Sequence, residues 1–461
     1  MPMTTDTVYV AEHALVGDAI KPNVTLHVDA TGSITRVGGP AEGAIRLPGL
    51  TLPGIPNLHS HAFQRAMAGL AERAGPGGDS FWTWRDTMYR FLSVLTPEDV
   101  EAIAAQLYAE CLRHGFTTVG EFHYVHNAPD GRSYADPAEM SARLLGAAQT
   151  TGIGLTLMPV LYQTSQFGGV PPTEGQRRFV RNDDDFAELV RRVVSLTAAN
   201  PNWRAGIAPH SLRAVEPAAL ARAVALRNAI DGSMPIHIHA AEQTKEVADC
   251  LAWSGRRPVE WLLDHGAGPG WCLIHATHLT DEECRRLAGS GAIAGLCPAT
   301  EANLGDGFFP IREYVAQGGP FGVGTDSHVS TSPVEELRWL EYGCRLQLRA
   351  RNVVEPREGV SVGATLVARA LSGGATALAR PIGAIEAGRR ADLIVLDTDH
   401  PALVGRPSDR WLDAFIFCGN DSPVRDVMVG GRMVVKDGAH LAAEPVRARF
   451  RATMRRLATA L

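Results

Sequence analysis

The 461-residue sequence is short of several things, and each shortage removes a class of function. Its seven cysteines, Cys111, Cys250, Cys272, Cys284, Cys297, Cys344 and Cys418, are scattered and form no C-x-x-C pair, so neither a disulfide framework nor a thiolate zinc site is expected. No apolar run of about 18 residues could span a bilayer, and Met1–Val10 has no cationic stretch leading into an apolar one. The expectation is a cytoplasmic protein with reduced thiols and no membrane partner. Basic residues show no excess: 44 Lys and Arg stand against 50 Asp and Glu, a net charge of −6, and no nucleic-acid partner is expected. The only lysines are Lys21, Lys245 and Lys436.

What remains is an ordinary soluble composition, 20% charged and 45% hydrophobic, on a chain long enough for one large barrel with appendages. Short β-like runs at Thr7–Val10, Asn23–Val28 and Ser33–Val37 suggest a small antiparallel unit. From Leu50 short apolar runs alternate with amphipathic stretches. Eight candidate strands follow, Leu50–Asn57, Thr117–Phe122, Ile153–Leu161, Arg204–Pro209, Met234–Ile238, Trp271–Ile274, Ala292–Leu296 and Phe321–Thr325. Helical stretches such as Pro97–His114, Asp184–Ala199 and Pro217–Ile230 lie between them, the pattern of a (β/α)8 TIM-like barrel. β-like runs return at Ala391–Leu396 and Val424–Val435, the latter broken by Gly430 and Gly431. The α/β fold expected is therefore a barrel over residues 51–378 with a small β-sandwich domain made from both chain ends, 1–50 and 379–461. A terminal helix over Glu444–Leu461 places Phe450, Met454, Leu457 and Leu461 at helical spacing amid arginines, a packing face in preference to an anion site.

Sixteen histidines in 461 residues give about 0.6 H-x-H pairs by chance, so a pair alone is weak evidence. Position strengthens it. His59-Ser60-His61 directly follows the first strand and His237-Ile238-His239 ends the fifth, where a period of two aims both imidazoles of a pair to one side. His275 ends the sixth strand and Asp326 the eighth. In such a barrel the C-terminal strand ends form the mouth, so these ends deliver a His/His/His/Asp metal-ligand set suited to Zn2+ or Fe2+. The competing reading is a polar mouth whose histidines are merely hydrogen-bonded. Glu242, three residues beyond His239, can face the same pocket and shuttle a proton to a departing nitrogen, or be a solvated loop carboxylate.

The segments Pro-Gly-Ile-Pro-Asn-Leu-His-Ser-His, His-Ile-His-Ala-Ala-Glu, Leu-Ile-His-Ala-Thr-His, Gly-Thr-Asp-Ser and Gly-Ala-Ile-Glu-Ala-Gly-Arg-Arg-Ala-Asp-Leu resemble the amidohydrolase superfamily in its aminohydrolase (deaminase) branch, along the whole chain. The resemblance implies one divalent metal ion per subunit, Zn2+ before Fe2+, held by His59, His61, His239 and Asp326. It makes Glu242 the proton shuttle, Asp326 the base and His275 a residue polarising the attacking water. His237, His278 and His328 receive no role. Another branch bridges two metals with a carboxylated lysine on the fourth strand, but no Lys lies between Lys21 and Lys245, so a single metal is expected.

Substrate choice must come from the loops. Arg85, in Phe-Trp-Thr-Trp-Arg, and Arg213, in Pro-His-Ser-Leu-Arg, leave strand ends, and guanidinium forks pair with carboxylates, although each arginine taken alone is as easily a surface residue. Gln64, Tyr124 and His210 supply orienting hydrogen bonds. The expected partner is a small molecule bearing carboxylates, and the loop segments resemble those of enzymes in the branch that hydrolyse linear amidines. Rival readings are a deaminase of guanine-like or triazine-like rings, kept open by Trp82, Trp84 and Gln64, a cyclic-amide hydrolase, and a non-catalytic scaffold. A homodimer is expected, joined through long loops or the terminal helix.

Overall fold

The computed structural model describes residues 6–73 and 81–460; Leu461 lies outside them, as does the side chain of Trp82. Eight parallel strand positions follow one another around one sheet: Ile55–Ser60, Phe116–His123, Gly154–Leu161, Trp203–Ala205 with Ala208–Pro209, Ile236–Ala240, Trp271–His275, Ile293–Leu296 and Phe321–Val323. The eighth pairs with the first through Val323 and Asn57, and the bridges Ile207–Ile236 and Ser211–His239 join the fourth to the fifth, so the sheet closes on itself. Every residue of the first three strands is buried; the third, Gly154–Leu161, reads accordingly as a near-continuous apolar run, while the first two also bury polar residues such as Asn57, His59 and Glu121.

Two of the expected strands are interrupted, the fifth is shifted by two residues to Ile236–Ala240, and the eighth ends early at Val323. Leu50–Asn57 is split at Gly54: Ile45–Pro53 belongs to a second sheet, and the barrel strand starts at Ile55. Gly54 donates its N–H to the Asp392 carbonyl at 2.8 Å, and a Cβ there would lie 2.1 Å from the Thr117 side chain, so the crossing point admits only glycine. The fourth strand breaks at Gly206 and Ile207. There the N–H of Gly206 goes to Leu157 of the third strand and that of Ile207 to Pro235 before the fifth, so the chain shares its bonds between two neighbours.

The second sheet takes strands from both chain ends. Its order runs Ala439–His440, Arg432–Lys436, Val424–Val429, Leu393–Leu396, Ile45–Pro53, Thr7–Val16, Ala19–Val28 and Ile34–Val37, and the two ends meet where Leu393–Leu396 pairs antiparallel with Leu50–Pro53. Gly430 and Gly431, both at positive φ, turn the hairpin at the expected break.

Helix Pro97–His114 has a full local specification: a Thr96–Asp99 capping box, Pro97 in the first turn and Gly115 at φ 103° to end it. The C-terminal helix Ala443–Ala460 docks on it. Arg449 reaches Glu101 at 3.1 Å, Arg456 pairs with Asp99, and Val446 and Leu457 are buried beneath. All seven cysteines are free thiols. No helix of the described residues is long and apolar enough to cross a membrane.

Candidate metal centre and active-site pocket

The C-terminal ends of the barrel strands converge on one cluster. His59 belongs to the first strand and His61 follows it; His239 comes from the fifth strand, His275 from the sixth, and Asp326 follows the eighth. Backbone pairing brackets the last of these against the first strand: Asp326 donates its N–H to His59 and accepts that of His61. Gly324 permits that approach, since a Cβ there would lie 2.7 Å from the His59 Cβ. Left-handed backbone collects at these strand ends on residues other than glycine, with Ala241 at φ 53°, His275 at 69°, Asp326 at 46° and His328 at 63°. Each such residue costs about 1–3 kcal/mol, a concentration of strain typical of functional sites.

The donor atoms face one another. His59 Nε2 lies 3.1 Å from His239 Nε2 and 3.5 Å from Asp326 Oδ1, and His61 Nε2 lies 3.3 Å from the same oxygen. His61 donates its Nδ1–H to the Phe122 carbonyl at 2.8 Å, which leaves Nε2 as a lone pair aimed at a carboxylate. Two acceptors at that distance repel unless a cation lies between them. Burial pushes the His59 imidazole down to about 3 and those of His61 and His239 down as well, so all three are held in the neutral form that ligates metal. Burial would raise Asp326, but the surrounding histidines outweigh it and hold that carboxyl below its usual range. The residues therefore fit a divalent cation of the Zn2+ or Fe2+ type.

His275 sits at the edge of this cluster between three carboxylates. Its Nδ1 is 3.2 Å from Glu301 Oε1, and its Nε2 is 3.9 Å from Glu242 Oε1 and 3.8 Å from Asp326 Oδ2. Burial alone would lower the imidazole; Glu242, the hydrogen bond to Glu301 and Asp326 outweigh it and lift the group to about 10. Burial also raises Glu242 to about 7, against the pull of His275. The pair supplies a cationic donor beside a carboxyl that exchanges its proton near neutrality.

A cavity of ≈ 60 Å³ opens from the cluster, and every strand position contributes to its wall directly or from the segment beyond, the seventh through Leu304. Gln64, Arg85, Tyr124, His210 and Arg213 all line it, so the five expected substrate contacts are brought together with Glu242 and the metal-type cluster. Gln64 donates to the Tyr124 hydroxyl at 2.7 Å, and the buried Nε of Arg213 has no partner among the described residues. Clefts of ≈ 580 and ≈ 520 Å³ flank helix Pro333–Leu348 elsewhere and include none of these residues.

Among the wall residues, Met88, Tyr89, Tyr162 and Phe179 were not singled out from the sequence, whereas Trp84 and Arg85 were. Helix Phe81–Leu92 presents Trp84, Arg85, Met88 and Tyr89 to the cavity, at the i, i+1, i+4, i+5 spacing of one helical face. Tyr162 and Phe179 close the side under the third strand, and Gln176 donates to the hydroxyls of both Tyr162, at 2.7 Å, and Tyr89, at 3.2 Å. His237 points away from the cavity and pairs with the Ala377 carbonyl at 2.8 Å.

Residues 50–434 match the model of the amidohydrolase family, and the chain belongs to that family. It is 54% identical to the formimidoylglutamate deiminase of Pseudomonas aeruginosa over 438 residues, 94% of this chain and 96% of that one. A solved amidohydrolase from Brucella melitensis superposes with a TM-score of 0.93 at 46% identity, covering 98% of this chain and all of the other. An adenosine deaminase from Xanthomonas campestris with bound zinc shares the fold, with a TM-score of 0.81 at 22% identity over 99% of both chains.

Proposed function

We propose that this protein hydrolyses N-formimino-L-glutamate to N-formyl-L-glutamate and ammonia, with one divalent metal ion, zinc by preference, held by His59, His61, His239 and Asp326. The observation that carries the substrate is Arg213: 4% exposed, with an unpartnered Nε, it lines the same cavity as the metal-type cluster. A buried guanidinium without a carboxylate of its own calls for an anionic ligand. The similarity to a formimidoylglutamate deiminase at 54% identity supports the same assignment.

The metal, when bound, supplies Lewis acidity that lowers the pKa of a water. Asp326 accepts the proton of the water that attacks the formimino carbon. His275, held at Nδ1 by Glu301, orients that water and donates to the oxygen developing at the carbon. Glu242, whose carboxyl exchanges near neutrality, carries a proton to the departing nitrogen, so one water is consumed and ammonia leaves. Arg213 and Arg85 hold the glutamate carboxylates, and Gln64, Tyr124 and His210 orient the chain between.

A second reading, deamination of an aromatic ring, is favoured by Phe81 and Trp84, which stack with centroids 6.0 Å apart on the cavity wall. The same proposal takes the protein as a cytoplasmic homodimer, with residues 1–50 and 379–461 forming one small β-sandwich domain beside a catalytic barrel of 51–378. Ammonia release by the purified zinc-replete protein, compared across N-formimino-L-glutamate, N-formimino-glycine, guanine and cytosine, tests it. Release confined to the glutamate compound is the expected result; release from a ring compound in preference would overturn it.

A further inference from the structure

Directly beneath the metal-type cluster lies a chain of buried polar groups that neither binds substrate nor offers a ligand atom. Glu121, on the second strand, is fully buried. Its Oε1 accepts the N–H of Ala62 at 2.7 Å, and its Oε2 accepts the hydroxyl of Ser60 at 2.6 Å and that of Tyr108 at 3.2 Å. Ser60 and Ala62 are the two chain neighbours of His61. The carboxylate thus grips the first strand on both sides of that histidine.

The chain continues to the eighth strand. His328 Nε2 lies 3.1 Å from the Ser60 oxygen, and His328 Nδ1 lies 2.8 Å from the Thr325 hydroxyl. With Glu121 accepting from Ser60, the donors align in one direction: Thr325 hydroxyl to His328 Nδ1, His328 Nε2–H to Ser60, Ser60 hydroxyl to the carboxylate. Thr325 and His328 flank Asp326, and both Asp326 and His328 are held in left-handed backbone. A left-handed turn at two non-glycine residues persists only where its surroundings over-determine it, and this chain crosses from the turn to the first strand alongside the backbone bonds of Asp326 to His59 and His61 and the bonds of Asn57 to Thr325.

We infer that Glu121 is a positioning residue of the metal centre: through Ser60, Ala62 and His328 it fixes His61 and Asp326 relative to each other. The inference rests on the metal-dependent reading of the site. A glutamine reproduces only part of this: its oxygen can accept from Ala62, but its amide must donate to the Ser60 and Tyr108 hydroxyls, which reverses the direction of the whole chain to His328 and Thr325. Outer hydrogen-bond partners of metal ligands typically alter affinity by about 10–100-fold.

The test is the rate at which the folded, zinc-loaded protein surrenders its metal to an excess of a chromogenic chelator, with the visible spectrum of the Co2+-substituted protein as a second readout. Glu121→Gln is expected to lose zinc at least about tenfold faster and to shift the Co2+ bands. Tyr108→Phe, which removes one bond to Glu121 away from the ligands, is expected to retain zinc as the wild type does. A merely structural role would lower the unfolding midpoint and leave metal loss from the folded protein unchanged; that result overturns the inference, as does equal acceleration in Tyr108→Phe. If Glu121→Gln does not fold, Ser60→Ala removes both the bond to Glu121 and the link to His328 while leaving Glu121 on the Ala62 N–H, and wild-type zinc retention in that variant is equally fatal. No substrate enters the measurement, so faster metal loss from a protein that releases ammonia from no candidate would sustain this inference while overturning the proposed reaction.

Discussion

His61 Nε2 and Asp326 Oδ1 face each other at 3.3 Å as two acceptors, because the proton of His61 is committed to Phe122 on the other side of its ring. The metal-free site is therefore internally repulsive, and Asp326→Asn separates site from scaffold. An amide can donate to His61, and asparagine tolerates the φ of 46° at this position better than most residues. The metal-free variant is expected to be at least as stable as the metal-free wild type. It should lose turnover by about 10³-fold or more and forgo the stabilisation that zinc confers, about 4 kcal/mol at a thousand times the dissociation constant. Calorimetric melts of both proteins with and without zinc check this; a metal-free variant that melts well below the wild type would refute the repulsion.

Arg213→Ala is expected to leave zinc content unchanged and to reduce kcat/KM for N-formimino-L-glutamate by about 100-fold, the effect of about 3 kcal/mol lost when a desolvated carboxylate keeps no partner. Against a neutral formimidamide the same variant should match the wild type. Steady-state kinetics on the two substrates, with metal analysis of the same samples, decide it, and a wild-type kcat/KM on the glutamate compound would remove Arg213 from the carboxylate site.

The parts of the site that could be read in advance are those governed by local period and strand position. His59, His61 and His239 alternate on strands whose ends meet in one mouth, and Arg213 leaves the fourth strand within three residues of His210. The other parts depend on register between distant segments. Glu121 looks like any strand carboxylate until the second strand is set beside the first and brings it to Ser60 and Ala62. Glu301, which orients His275, sits in a helix of seven residues with no distinguishing spacing. The run from Leu50 to Ile55 is interrupted by one threonine only and keeps the same apolar character on both sides of Gly54, so its pattern carries no trace of the change of sheet there. Helix Phe81–Leu92 is short and aromatic-rich, and its cavity-facing side is set by distant segments packed against it, Gln64 and Tyr124 at Met88 and Gln176 at Tyr89.

Tyr124→Phe tests the orienting hydrogen bonds without touching charge or metal. The hydroxyl accepts from Gln64 at 2.7 Å and lies 3.4 Å from the Met88 sulfur, a weak acceptor that leaves its proton available to substrate. Loss of one such bond is worth about 1–1.5 kcal/mol, so KM is expected to rise about 5–10-fold with zinc content and kcat within a factor of about three of wild type. A variant with unchanged KM would place the substrate away from the second-strand loop.

His237 gives a pH signature of its own. Burial pushes its imidazole down to about 4, only partly offset by the bond it donates to Ala377, whereas in the unfolded chain it titrates near 6.5. Between those values the unfolded chain binds a proton that the folded one does not. The stability this group contributes is therefore complete above about pH 6.5 and falls as the pH drops toward 4, by about 3 kcal/mol in all. His237→Gln keeps an N–H for the Ala377 carbonyl and removes the titration. Urea unfolding of the two metal-free proteins from pH 7.5 to 4.5 should show the wild type losing stability more steeply than the variant, with the gap opening below about pH 6.5. Parallel curves would mean that His237 is protonated in the fold.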